Sequence, residues 1–363
     1  MKVCFLVETL ANGGVERTVV YLSKYFVDHG IDTTILLISN EVFYDIDKKV
    51  NLVSLGIPRT FNDNISIFEK YLRIVKRMTK VKKHILSGNF DVVFCMAPEA
   101  ARYVLPFYKK GKFKLISSER NNPLFDNSRN KKIKKELFPK CDGIVFQTER
   151  AMNCFPEEIR KKGIVIPNAV GNELAYIVTA SEEKSNKFSA TGRLTKQKDY
   201  PTMLRAFALF SKKHSGYELE IFGAGEDKVM LEKLAGELGI GDQVKFRGVD
   251  KRALERISDA KAFLLSSIYE GIPNVLIEAM AIGMTCISTD CPFGPSEMIE
   301  DGKNGLLVPV GDEKAFADAM CRVVEDPDFA KKCGDNAREI KNNYSIDSIA
   351  ARYADYVKKI GNC

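Results

Sequence analysis

Short apolar runs rich in Val, Ile and Phe recur along this chain, and amphipathic stretches of helical period separate them. The runs fall at residues 3–7, 33–38, 92–95, 114–117, 143–147 and 163–166, with amphipathic stretches at 15–26, 65–86 and 129–138. The rhythm then restarts, with runs at 188–191, 218–222, 244–246, 262–265, 285–288 and 305–307. Helical patterns at 200–213, 227–238, 274–281 and 313–324 lie among them. Near-continuous apolar strands alternating with helices imply parallel sheets covered on both faces. Residues 166–186 lose this period and turn polar, so a domain hinge is expected there. The 363 residues exceed one ordinary core and suit two domains of about 150–200 residues each. Two doubly wound domains bind ligands at the carboxyl ends of their strands, in a cleft expected between them.

The longest apolar runs fall far short of the roughly 18 residues of a membrane span. The amino-terminal run meets Glu8 before a signal-peptide core can form, so a cytoplasmic protein is expected. Nine cysteines include no C-x-x-C pair and read as buried free thiols of a reducing compartment. His29, His84 and His214 have no neighbouring ligand at metal spacing, and no metal site is expected. The net charge of +7 is uneven. Residues 1–170 hold 29 basic against 18 acidic side chains (+11), and residues 171–363 hold 26 against 30 (−4). Such asymmetry suggests that the first half faces something anionic.

Three segments could carry chemistry. Gly192-Arg193-Leu194-Thr195-Lys196-Gln197-Lys198 follows a strand and precedes a helix opened by Pro201. A glycine there lets a ligand approach the backbone, and Arg193 and Lys198 suit a diphosphate; a solvated loop is the alternative. Gly223-Ala224-Gly225 resembles the opening of a dinucleotide fingerprint, but Lys228 stands where its third glycine belongs. It is either a turn beside a nucleotide or a purely structural one. The third segment, Ser266 to Ala281, presents Glu270 and Gly271 in a loop and starts a helix around Pro273-Asn274. Uncapped amides at that start can bind an anion or hydroxyls. Glu270 and Glu278 can then accept hydrogen bonds from sugar hydroxyls.

Glu270, seven intervening residues and Glu278 resemble the E-x7-E motif of retaining family-4 glycosyltransferases. The resemblance extends over nearly the whole chain, through Asn12-Gly13-Gly14-Val15-Glu16-Arg17, the Gly192–Lys198 loop, Cys291-Pro292-Phe293-Gly294-Pro295-Ser296-Glu297 and Gly302–Val308. The Cys291 run and Ser118-Glu119-Arg120-Asn121-Asn122-Pro123 are most similar to the bacterial surface-polysaccharide subgroup. The resemblance implies an α/β GT-B fold, two Rossmann-like doubly wound domains facing each other across a cleft. Residues 1–170 would form the acceptor-binding domain, with a final helix at about 345–363 packing back on it. Residues 171–344 would bind a nucleotide sugar.

It further implies transfer of a hexose or N-acetylhexosamine, with retention, from a nucleotide sugar (UDP-linked by resemblance to the subgroup) to a lipid-linked or saccharide acceptor. Gly13 and Gly14 would approach the donor, while Arg193 and Lys198 would neutralise the diphosphate, with no metal and no cofactor. Glu270 and the Gly271-Ile272-Pro273-Asn274-Val275 backbone would orient the sugar, Glu278 would bind the ribose, and Gly192 and Gly223 would line the donor. Where many members carry a histidine, this chain has Arg120, which cannot act as a base at neutral pH. Arg120 is expected either to bind a phosphate or to form a structural ion pair with Glu119 or another carboxylate. Basic clusters at 70–83, 109–112 and 131–135 suit anionic headgroups, so peripheral association with the cytoplasmic face of the membrane is expected rather than nucleic-acid binding. An epimerase or hydrolase of the same fold, an oxidoreductase and a non-catalytic nucleotide-sugar-binding subunit are the alternatives.

Overall fold

The computed structural model describes residues 1–11, 13–57, 66–120, 123–170, 184–250 and 252–362. Asn12, Asn121, Asn122 and residues 171–183 of the expected hinge lie outside the described residues. The chain divides into two compact units, one of Met1–Ala169 with Ile346–Cys363 and one of Val170–Ser345.

The first unit holds a seven-stranded sheet: β1 (Lys2–Val7), β2 (Asp32–Leu37), β3 (Asn51–Ser54), β4 (Val92–Cys95), β5 (Lys114–Glu119), β6 (Gly143–Phe146) and β7 (Gly163–Val165). All pairs are parallel, in the order β3-β2-β1-β4-β5-β6-β7. Along β1 the side chains alternate between two cores. Val3, Phe5 and Val7 join one that contains Val19, Leu22 and Tyr353, and Cys4 and Leu6 join the other with Val81 and Ile85. Helices therefore cover both faces, as the continuous apolar runs require. Helix α1 (Gly14–Asp28) lies on the first face and α2 (Ile67–Ser87) on the second. The carboxyl-terminal helix Ile346–Gly361 buries Ile349, Tyr353, Tyr356 and Val357 in this unit. Tyr356 passes so close to β6 that a Cβ on Gly143 would stand 2.6 Å from its hydroxyl.

The strand β3 escapes the sequence reading because it holds only two apolar residues, Leu52 and Val53, between the polar Asn51 and Ser54. An edge strand of this kind carries no apolar run.

The second unit repeats the plan with six parallel strands: β8 (Lys187–Thr191), β9 (Glu218–Phe222), β10 (Val244–Gly248), β11 (Ala262–Leu265), β12 (Cys286–Thr289) and β13 (Leu306–Val308). Their order is β10-β9-β8-β11-β12-β13. Chain progression runs one way from β8 to β10 and the other way from β11 to β13. The loops after β8 and β11 thus diverge at a topological switch point, where sheets of this type bind ligands. The first unit has its own switch between β1 and β4. Among the described residues, no helix is long and apolar enough to cross a membrane.

Candidate functional site

The loop leaving β8 is fixed by its neighbour after β9. Gly192 N donates to Phe222 O (2.9 Å) and Leu194 N to Ala224 O (3.0 Å). Gly223 adopts φ +143°, and a Cβ there would stand 1.8 Å from Gly192 O. At Gly225 the same atom would lie 2.1 Å from Leu194 O. This glycine turn thus seats the 192–198 loop. That loop closes in a single 3-10 turn, Lys196–Lys198, ended by Asp199 in the left-handed region (φ 44°). Asp199 Oδ2 accepts from Thr202 Oγ1 at 2.7 Å, and Pro201 sits in the first turn of the helix Tyr200–Ser211. The turn sends Lys198 back over Gly192, where a Cβ would be 3.2 Å from both Lys198 Cε and the Tyr200 hydroxyl.

Across the switch point, the loop after β11 presents Glu270, only 6% exposed. Its Oε1 accepts from Lys198 Nζ (2.6 Å) and Ser267 Oγ (2.6 Å). Gln197 Nε2 donates to Tyr269 O (3.0 Å) and lies 3.4 Å from Glu270 Oε2. The two loops are also tied through backbone: Ser266 Oγ donates to Lys198 O (2.7 Å) and Ile268 N to Gln197 O (2.9 Å). The end of β12 joins them, since Thr289 Oγ1 donates to Ser267 O (2.6 Å). Gly294, at φ +90°, leaves room for Gly271 and Pro273, whose atoms a Cβ would meet at 2.7 Å. Burial, and then the Glu270 charge, push the Cys291 thiol up to about 12 and raise the Tyr200 phenol as well.

The structure therefore brings Gly192, Lys198 and Glu270 together, with Gln197 and Ser267, which sequence reasoning did not single out. Their signal was present, because both stand inside the quoted strings. Arg193 is exposed, its Nη2 3.4 Å from Gln197 Oε1. The helix Asn274–Ala281 starts at Pro273, and no side chain caps it. Ile272 and Val275 pack against the core beneath, and Glu278 is half-buried in the second turn.

In the first unit, Gly13 is the extended N-cap of α1. A Cβ on it would lie 2.3 Å from Glu16 Oε2, so a carboxylate already complements this helix start. Arg120 follows β5 and is held by four neutral acceptors. These are Ser118 Oγ (3.3 Å), Thr18 Oγ1 (3.2 Å), Asn168 Oδ1 (3.2 Å) and the Tyr353 hydroxyl (2.9 Å). The expected alternative, a pair with Glu119, is corrected: Glu119 pairs with Lys134 at 2.5 Å, and Lys134 also meets Asp126.

The same contacts correct the basic clusters. Lys134 is buried between its two carboxylates. Arg77, 1% exposed, pairs with Glu8 (2.8 Å) and donates to the Tyr103 hydroxyl (3.0 Å). Lys80 Nζ donates to Leu55 O (2.8 Å). These three side chains are engaged within the unit and are not available to a surface. The histidine reading also changes, because the fold places ligand atoms of His214, Cys321 and Glu325 within 4.8 Å of one another. His214 Nε2 lies 2.9 Å from Glu325 Oε1. This group stands beyond the far end of the helix Tyr200–Ser211, about 18 Å of helix away from the Lys198 end.

Residues 12–173 match Glycosyltransferase Family 4, and residues 177–340 match Glycosyl transferases group 1. The chain is 26% identical to a Campylobacter jejuni α-1,4-N-acetyl-D-galactosaminyltransferase whose name gives an undecaprenol-diphosphate-linked acceptor, over 100% of this chain and 99% of that one. It is 27% identical to the lipopolysaccharide core biosynthesis glycosyltransferase LpsE of Rhizobium meliloti, over 94% and 95%. Among solved structures, Anabaena HepE in complex with UDP superposes with a TM-score of 0.81 at 15% identity, covering 99% and 100%. These likenesses do not favour the epimerase, hydrolase or binding-subunit alternatives. Two parallel Rossmann-like units and two consecutive family matches lead to one assignment: the chain is a GT-B glycosyltransferase of the family-4 and group-1 type.

Proposed function

We propose that this enzyme moves a hexose or N-acetylhexosamine from a UDP-sugar to a lipid-linked saccharide, with retention at the anomeric carbon. The observation that carries the reading is the Lys198–Glu270 pair, buried at the switch point of the second unit and fixed by Ser267 and Gln197. Lysine has three donors, and Glu270 Oε1 engages one of them. The others are left for a diphosphate oxygen, which the exposed Arg193 can meet bidentately. Together they stabilise the charge that grows on the leaving diphosphate as the glycosidic bond breaks. Glu270, an acceptor held rigid by its neighbours, orients the sugar hydroxyls beside the Gly271–Val275 backbone. Glu278 takes the ribose hydroxyls, and the departing phosphate oxygen takes the acceptor's proton during front-face attack. Gly192 keeps the space that Lys198 occupies, and Gly223 supports that loop.

The nucleotide is proposed as UDP because the HepE fold neighbour holds UDP. The acceptor is proposed as lipid-linked because the Campylobacter relative's name specifies an undecaprenol diphosphate. The first unit would receive it, with Arg120 and the glycines at the start of α1, at a cytoplasmic membrane surface. Turnover of a panel of UDP-sugars with polyprenyl-diphosphate-linked saccharides tests the reading. Glu278→Gln should weaken UDP binding, whereas Glu270→Gln should act mainly on kcat. UDP binding that Glu278→Gln leaves untouched would remove the ribose assignment. Turnover should persist in EDTA, since Arg193 and Lys198 meet the phosphate charge. Activity lost in EDTA and restored by magnesium would show that a cation is needed as well.

A further inference from the structure

Helix α2 carries apolar side chains on two opposite faces. Inward, Val81 and Ile85 pack into the core with Cys4 and Leu6. Outward, Phe68, Leu72, Val75 and Thr79 follow at intervals of four, three and four residues, so they form one row, with Tyr71 alongside. Phe68 is 71% exposed, Tyr71 63%, Leu72 49% and Val75 40%. A surface helix of a globular protein keeps its solvent face polar. Three large apolar groups in one exposed row, with Tyr71 beside them, instead mark an interaction surface.

The flanks of this row indicate its partner. Lys82 continues the row and Lys76 and Lys83 border it, all three exposed. An apolar stripe edged by lysines is the chemistry of a helix lying in the plane of an anionic bilayer, with its cations at headgroup level. We infer that the outward face of α2 seats in the interfacial layer of an anionic membrane. Phe68, Tyr71, Leu72 and Val75 enter the acyl boundary, and Lys76, Lys82 and Lys83 meet the headgroup phosphates. The inference deepens the membrane-surface reading proposed above and rests on it for its purpose. It differs in mechanism from three basic clusters acting at a distance, because an inserted apolar face is not screened by salt.

The chain has no tryptophan, so Tyr71→Trp installs a single indole on the face in question. With phosphatidylglycerol-containing vesicles its emission should shift to the blue and be quenched by brominated acyl chains. Part of the binding should survive about 0.5 M salt. In flotation, Phe68→Ser with Leu72→Ser should cut partitioning by at least about tenfold. Turnover on a short water-soluble acceptor should stay unchanged. An indole that stays unshifted with vesicles, or flotation that ignores the two serines, would overturn the inference. So would a blue shift without lipid accompanied by a doubled mass, which would assign the stripe to a second copy of the chain. The two readings fail separately: vesicle binding with only soluble acceptors used would sink the lipid-linked acceptor. Use of a lipid-linked acceptor in detergent without vesicle binding would sink the seating of α2.

Discussion

Lys198 and Glu270 stand 2.6 Å apart with side chains 11% and 7% exposed, so each charge depends on the other. Removing one partner of a buried pair costs about 3–5 kcal/mol, because the remaining charge loses its compensation. Lys198→Met and Glu270→Gln should therefore each lower the thermal midpoint, while the double variant should lie above the sum of the two. A double-mutant cycle should return a coupling of about 1–3 kcal/mol, and each variant should lose at least about tenfold in turnover. Additive losses would mean that the pair is not coupled. A second residue-scale prediction concerns Lys184, which burial brings down to about 8 while its Nζ donates to Ser258 O (2.9 Å). Unfolded, it holds its proton to about 10.4, so between these values the unfolded state binds more protons and stability rises with pH. Below pH 8 the burial cost is present in full. Lys184→Met should raise the thermal midpoint at pH 7, with a gain that shrinks between pH 8 and 10; a gain independent of pH would contradict the sign. Lys198 and Glu270 were each legible from their loops, but the bond between them was not. It spans 72 residues, and the Arg120–Tyr353 bond spans 233.

The glycine turn after β9 shows how one element supports another. Gly223→Ala places a Cβ 1.8 Å from the Gly192 carbonyl at a φ of +143°, so the 192–198 loop must move. Its thermal midpoint and its affinity for UDP should fall together. Gly236, inside the helix Lys228–Glu237, has nothing within 4 Å of a built Cβ. Gly236→Ala should be neutral or stabilise by about 0.5–1 kcal/mol, with UDP binding intact. Equal losses in both variants would mean that the turn at Gly223 has no special role. The strands with apolar runs could be read directly because sheets covered on both faces leave no polar alternation. β3 could not, since Leu52 and Val53 are its only apolar residues. Helix α2 was legible as cationic and amphipathic. Which of its charges point inward was not, because Arg77 finds in Glu8 a carboxylate that only the fold supplies.

On the scale of the molecule, the first unit is completed by residues from the far end of the chain. The helix Ile346–Gly361 fills one face with Ile349, Tyr353 and Val357, and Tyr356 accepts from Ile144 N (2.9 Å) and donates to Lys162 O (2.6 Å). Burying each such side chain contributes roughly 1.5–3 kcal/mol, so deleting residues 346–362 should remove about 6–12 kcal/mol, comparable to the whole stability of an ordinary domain. The truncated chain should lose the thermal transition of the first unit, and a truncated protein with an unchanged melting profile would contradict this packing. Sugar transfer by the buried Lys198–Glu270 site is the central claim, and the configuration and Glu270 dependence of the product test it most directly. With a UDP-α-sugar and a polyprenyl-diphosphate-linked saccharide, proton NMR of the product should show a new α-linkage in the wild-type reaction and none with Glu270→Gln. A β-linkage, or an α-linked product formed equally well by Glu270→Gln, would contradict the account.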